Sequence, residues 1–266
     1  KIFNMGVAGA AWGTNIGMFV YALLFIIYCK RGKASFKTNV FSVKADRDII
    51  KKIVSLGMPS LIMSIMGIIQ GVIILRALRA YGSELDITFY GAVFRIFNFS
   101  LTPIYGLMRA LQPVAGINYG AEKYERSIKS FKIFSFVSLI IMLPFWLLSM
   151  IDPNLVLGSM LPQVTFDSEY IFSFRIFMSI APLLSVTMTA MTFWPSIKKA
   201  APAMVIGLGR QLFLYIPLMI ILPRIFGIQS IYIGSFAIDV LLSVIVILML
   251  SRNFKELREL KTVRAT

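Results

Sequence analysis

Long apolar runs separated by short polar stretches fill the chain. Runs of about 20 apolar residues predict transmembrane helices, and seven can be drawn, at about 8–29, 54–79, 88–117, 133–151, 170–194, 203–222 and 231–251. The runs are continuous rather than alternating residue by residue, which excludes membrane barrel strands. The expected fold class is therefore all-α, a polytopic transmembrane helix bundle of seven spans. Span three interrupts its apolar run with Arg95, Asn98, Thr102, Arg109 and Gln112. That spacing keeps all five on one broad helix face, predicted to line a water-filled cavity. In the competing reading, Arg95 and Arg109 snorkel to the two interfaces.

Composition agrees with the pattern, since 58% of the residues are hydrophobic, more than a soluble domain needs. The net charge of +15 would suit nucleic acid if it were clustered on a folded surface. Instead most of the 27 Lys and Arg fall between spans: in the stretch 30–52, in 118–132, at Lys198 and Lys199, and in the tail from Arg252. The other loops carry Glu84, Asp86, Asp152, Asp167 and Glu169 against Arg224. By the positive-inside rule the basic loops are cytoplasmic, so a multi-pass protein of the cell membrane with a cytoplasmic C-terminus is expected, and nucleic acid is not an expected partner. The single Cys29 rules out an intramolecular disulfide. With no histidine in the chain, histidine triads, metal sites and proton relays are excluded.

Seven spans in this orientation also describe a seven-helix receptor. Against that stands an internal repeat. Gly6 and Gly13 open the first span with the same spacing as Gly227 and Gly234 at the last, and basic residues follow both at matching offsets. Spans one and seven would then be equivalent, six helices apart, as in the parallel-repeat plan of many transporters. On that plan, residues 1–29 are the last span of an N-terminal bundle and 30–52 a basic cytoplasmic linker. Residues 53–251 form a complete six-helix bundle and 252–266 a basic cytoplasmic tail. A start at Lys1 without methionine or a signal-like segment fits the expectation of a fragment lacking most of its N-terminal bundle.

One stretch is distinctive in its residue order. Gln112-Pro113-x-x-Gly116-x-Asn118-Tyr119-Gly120-Ala121, followed by Tyr124-Glu125-Arg126, reads as a membrane exit. A proline loosens the helix, a Gly/Asn turn follows, and a basic segment stays in water. It resembles the signature of the multidrug and toxic compound extrusion (MATE) transporters, where it closes the eighth of twelve spans. Further resemblances run in family order: Asn4-Met5-Gly6-Val7-Ala8-Gly9-Ala10-Ala11, Leu56-Gly57-Met58-Pro59-Ser60, Tyr81-Gly82, Arg210-Gln211 with Ile216-Pro217, Phe226-Gly227, and Ala237-Ile238-Asp239. The resemblance implies two six-helix bundles rocking about a central cavity, with proton or sodium-ion antiport exporting amphipathic organic cations. It implies no cofactor beyond the weakly held coupling ion. Some branches carry acids in the seventh and tenth spans, and the corresponding spans two and five have none. A lipid-linked oligosaccharide flippase of the same superfamily is the alternative, kept open by Arg95, Arg109, Arg175 and Arg210.

Ionisable groups at membrane depth are functional candidates. Asp239 is the sole acid inside a predicted span, roughly 12 Å deep at 1.5 Å per residue. It needs a proton or a cation there, and Arg210, the nearest cation carrying the family pattern, is the candidate partner, with Gln211 beside it. Asp239 either binds the coupling ion or a cationic substrate, or makes a structural ion pair. Pro103, Pro182 and Pro217 are candidate hinges, because each removes a helix hydrogen bond. Gln70 reads as polar glue between helices. No nucleophile–histidine pair, phosphate-binding loop or paired carboxylates appear, so an enzyme is not expected.

Overall fold

The computed structural model describes residues 6–31, 46–162 and 164–263, and all the regular structure among them is helical. In order the helices are α1 (Gly6–Lys30), α2 (Arg47–Tyr81), α3 (Glu84–Gly120), α4 (Tyr124–Ile151), α5 (Pro153–Gly158), α6 (Ser168–Ser179), α7 (Ala181–Ser196) and α8 (Ala200–Gly209). A π-helical segment, Arg210–Tyr215, leads into α9 (Ile216–Phe226), and α10 (Ser230–Val263) follows. The chain divides into two compact units, Lys1–Gly57 and Met58–Thr266. In the first, α1 is largely apolar apart from Thr14 and Asn15, with Trp12, Phe19 and Tyr21 exposed, which suits a membrane span. The linker residues Lys33, Lys37 and Lys44 lie outside the described residues, as do Asn4 and Met5. The last residues of the expected linker, 47–52, are the start of α2, whose first turn is capped by Asp46 accepting from the Asp48 N–H at 2.9 Å.

Within the second unit α3 packs on α4 and α7, α4 on α7, and α10 on α6, α7 and α9. Three apolar clusters fill the interior. The largest joins Leu78, Leu111, Ile128, Trp194, Met219 and Val246. A second gathers Phe89, Phe174, Phe177 and Tyr232, and a third joins Leu101, Ile104 and Met142. Small polar side chains stitch the helices together. Ser127 Oγ donates to the Ala115 carbonyl at 3.1 Å, and Thr187 and Ser243 share a hydrogen bond of 3.0 Å. Where lipid offers no driving force, such bonds and close packing supply the association.

Six helices among the described residues are long and apolar enough to span a membrane, not seven. The one that falls short is α3, because its polar face lowers its hydropathy. One other expectation is corrected, and two elements gain detail. The turn expected over Gly116–Ala121 is helical as far as Gly120, and the chain reverses only at 121–123, with Glu122 at φ 59°. Gly116 is a contact instead: a Cβ there would sit 3.3 Å from the Ser196 carbonyl oxygen at the end of α7. The basic segment after it is already helix α4. Span five is broken at Ile180, between α6 and α7.

The ends of the unit differ in charge. At one end Lys199 pairs with Glu256, and Arg258 Nε lies 3.2 Å from Glu125 Oε1, so the α3–α4 turn, the α7–α8 turn and the end of α10 meet there. At the other, Tyr170 donates to Asp86 at 3.1 Å beside the α9–α10 turn.

Candidate functional site

The polar interior is organised by the π segment. Its wider turn, with the Ile216 N–H reaching back to the Gln211 carbonyl, ends at Pro217 in the first turn of α9. Proline has no N–H to continue the ladder. Arg210, Gln211 and Tyr215 all lie on this segment, and π segments frequently mark functional sites.

Arg210 Nε donates to Asp239 Oδ1 on α10 at 2.8 Å. The Asp239 side chain is 7% exposed and that of Arg210 33%, so the pair sits at the edge of the interior with its acid inside. The guanidinium also lies 5.2 Å from the centroid of the Tyr215 ring, within cation–π range. Tyr215 shares a buried hydrogen bond of 2.8 Å with Ser235, one turn before Asp239 on α10. Gln211 turns the other way. Its amide donates to the Met66 carbonyl of α2 at 3.1 Å and to the Gln70 side chain. A continuous polar strip thus crosses from α2 through the π segment to α10, in a bundle whose other contacts are mainly apolar.

The structure brings Asp239, Arg210 and Gln211 together and adds Gln70, Tyr215 and Ser235. Sequence reading took Gln70 for glue and passed over Tyr215 and Ser235. The available signal was the spacing of Tyr215 from Arg210 and Gln211 across a segment with Pro217 just beyond it.

The α3 residues stand apart. Arg95, Thr102, Arg109 and Gln112 are exposed and Asn98 is half-buried. Asn98 and Thr102 bond within their own helix, Asn98 to the Phe94 carbonyl at 2.8 Å and Thr102 to the Asn98 carbonyl at 3.1 Å. They share one face of α3, while Ile96, Leu101, Ile104 and Leu111 are buried on the other. Among the described residues no hydrogen bond joins this face to the Arg210–Asp239 pair. Of the hinge candidates, Pro103 lies inside an uninterrupted α3. Pro182 is in the first turn of α7, just past the break at Ile180, and Pro217 adjoins the π segment.

Helices long and apolar enough to cross a membrane, packed round an ion pair, define the class of polytopic membrane proteins. A family model described as MatE matches residues 53–221, and the chain belongs to that family, whose members are transporters rather than enzymes. The seven-span receptor alternative falls with this match. The multidrug export protein MepA of Staphylococcus aureus (strain NCTC 8325 / PS 47) is 32% identical over 121 residues, 46% of this chain and 27% of MepA. MepA of Staphylococcus saprophyticus subsp. saprophyticus is likewise 32% identical over 121 residues. Among solved structures, the MATE multidrug transporter DinF-BH in complex with R6G superposes with a TM-score of 0.77 at 28% identity, over 94% of this chain and 56% of that one. A MATE crystal structure in complex with MaL6 gives 0.80 at 18% identity, over 97% of this chain and 59% of that one. The chain thus spans just over half the length of these solved transporters.

Proposed function

We propose that this protein is a secondary active transporter of the cell membrane, exporting amphipathic organic cations in antiport with protons or sodium ions by alternating access. The observation that carries the reading is the pair that Arg210 of the π segment makes with Asp239 of α10. A carboxylate held in the membrane interior by one contact from a partly exposed guanidinium is a group that a proton or sodium ion can compete for. The names of the multidrug export relatives and of the R6G-bound neighbour support the substrate class. In this reading the exposed polar face of α3 (Arg95, Asn98, Thr102, Arg109 and Gln112) borders the translocation path, and Pro182 and Pro217 are the bending points. A second six-helix bundle of the same chain completes that path. The basic end faces the cytoplasm, C-terminus included.

The flippase alternative requires several free inward cations. Arg210 is paired with Asp239, which leaves Arg95, Arg109 and Arg175 for that role, and the names of the multidrug export relatives favour drug export. The test is ethidium efflux from cells expressing the complete reading frame, with Asp239→Asn. The expected outcome is efflux lowered at least tenfold, or an altered dependence on pH or sodium, with normal membrane levels. Unchanged efflux and ion dependence would reject Asp239 as a coupling group, and no efflux by the unaltered protein would reject drug export.

A further inference from the structure

At the end of the second unit where the loops are acidic, a cavity of about 270 Å³ opens between α2 and α9. Ile73, Arg76 and Ala80 line it from α2, and Ile220 and Arg224 from α9, with Tyr81 at the end of α2. The spacing accounts for the shared wall. Steps of three and four keep Ile73, Arg76 and Ala80 on one face of α2, and a step of four puts Ile220 and Arg224 together on α9. Arg76 stands five residues before the end of α2 and Arg224 two residues before the end of α9. At 1.5 Å per residue they lie roughly 8 Å and 3 Å from those ends, the level of lipid head groups rather than of the acyl core. Both arginines are exposed, and among the described residues neither makes an ion pair or a hydrogen bond. No acid lines the cavity. Two guanidinium groups brought to one cavity repel each other. Snorkelling to water explains one arginine near a helix end. It does not explain two that reach the same cavity from different helices, at the end where the positive-inside rule disfavours them.

We propose that this cavity binds the phosphate of an anionic phospholipid from the leaflet at that end, bridged between Arg76 and Arg224. Guanidinium groups suit this task, since each presents paired N–H donors to phosphate oxygens. The Tyr81 hydroxyl supplies a further donor. Deeper along both helices the wall turns apolar at Ile73 and Ile220, where the acyl chains lie. A soluble phosphate would satisfy the arginines and leave that apolar surface uncovered, so the continuity of the two surfaces points to a lipid. The site is apart from the Arg210–Asp239 pair. It nevertheless bridges the two helices that frame the polar strip, because α2 carries Gln70 and α9 continues the π segment.

The test uses protein from the complete reading frame carrying Cys29→Ser and Ile220→Cys, otherwise free of cysteine, Ile220 being an exposed residue of the cavity wall. The cysteine is labelled with bimane and the protein reconstituted in phosphatidylcholine vesicles. Quenching by doxyl-labelled phosphatidylglycerol is compared with quenching by phosphatidylcholine carrying the same label. The anionic lipid is expected to quench at about one-tenth of the mole fraction that the zwitterionic lipid needs, since each arginine near an anionic head group contributes severalfold. The preference should vanish in Arg76→Gln with Arg224→Gln and persist in Lys255→Gln, at the opposite end. Equal quenching by the two lipids, a preference that survives the double substitution, or one lost equally in Lys255→Gln would each overturn the proposal. So would displacement by millimolar glycerol 3-phosphate, which would assign the site to a soluble phosphate. Absence of quenching by either lipid would show the groove covered by the rest of the chain, and would also overturn it. The comparison of the two lipids needs no arginine substitution, so misfolding of a variant leaves it decisive. Dye efflux enters none of these readouts, so this proposal and the transport reading can fail separately.

Discussion

Asp239 and Arg210 are the residues whose chemistry decides most. Removing one partner of a buried pair strands the other charge, whereas removing both can be nearly neutral. Because the Arg210 side chain is one-third exposed, water relieves part of the loss. Asp239→Asn is therefore expected to cost about 2–3 kcal/mol, below the range for fully buried pairs. The double variant Asp239→Asn with Arg210→Gln should cost less than either single change. Thermal unfolding in detergent measures this, and additive losses would show that the two side chains are not coupled. Tyr215→Phe keeps the ring beside Arg210 but removes the bond to Ser235, for an expected loss of about 1 kcal/mol. Sequence reading reached the Arg210–Asp239 pair because ionisable residues in apolar runs are rare. It could not reach Ser235, since a lone hydroxyl in a membrane helix has no signature until its neighbours are known.

At the scale of elements, the spans were legible because about 20 apolar residues are hard to mistake, while their interruptions were not. A π turn differs from an α turn by one residue in the hydrogen-bond ladder and leaves the apolar pattern intact, so Pro217 read as a hinge rather than as the edge of a distorted segment. The Gln112–Ala121 signature misled in the opposite direction. Its glycine at 116 looks like turn chemistry, yet it answers to the close passage of Ser196. The α2–α3 turn is a genuine case of glycine need. A Cβ on Gly82 would stand 2.8 Å from the Leu78 carbonyl oxygen and 3.1 Å from Asp86 Oδ2, so both the last turn of α2 and the anchored carboxylate must shift. Gly82→Ala is expected to destabilise by about 1–3 kcal/mol, as overpacking does. Gly91→Ala, inside α3 with nothing within 4 Å of the added carbon, should stabilise by up to about 1 kcal/mol from helix propensity. Thermal melts of the two variants moving in the same direction would contradict this assignment of space.

For the molecule as a whole, the separation of charge between the two ends ties fold to topology. The 34 residues of α10 extend roughly 50 Å at 1.5 Å per residue, well beyond a hydrocarbon core about 30 Å thick. Its last turns must therefore stand in water, and there Arg258 and Glu256 meet Glu125 and Lys199. These exposed ion pairs contribute little to stability, but they keep basic segments from three parts of the sequence at one membrane face. The positive-inside rule assigns that face to the cytoplasm. Two single-cysteine variants in a Cys29→Ser background test the assignment: Lys255→Cys at the basic end and Glu84→Cys at the acidic end, both exposed positions. In intact cells a membrane-impermeant maleimide should label Glu84→Cys at once and Lys255→Cys only after permeabilisation. The reverse pattern would invert the protein in the membrane and place its basic end outside.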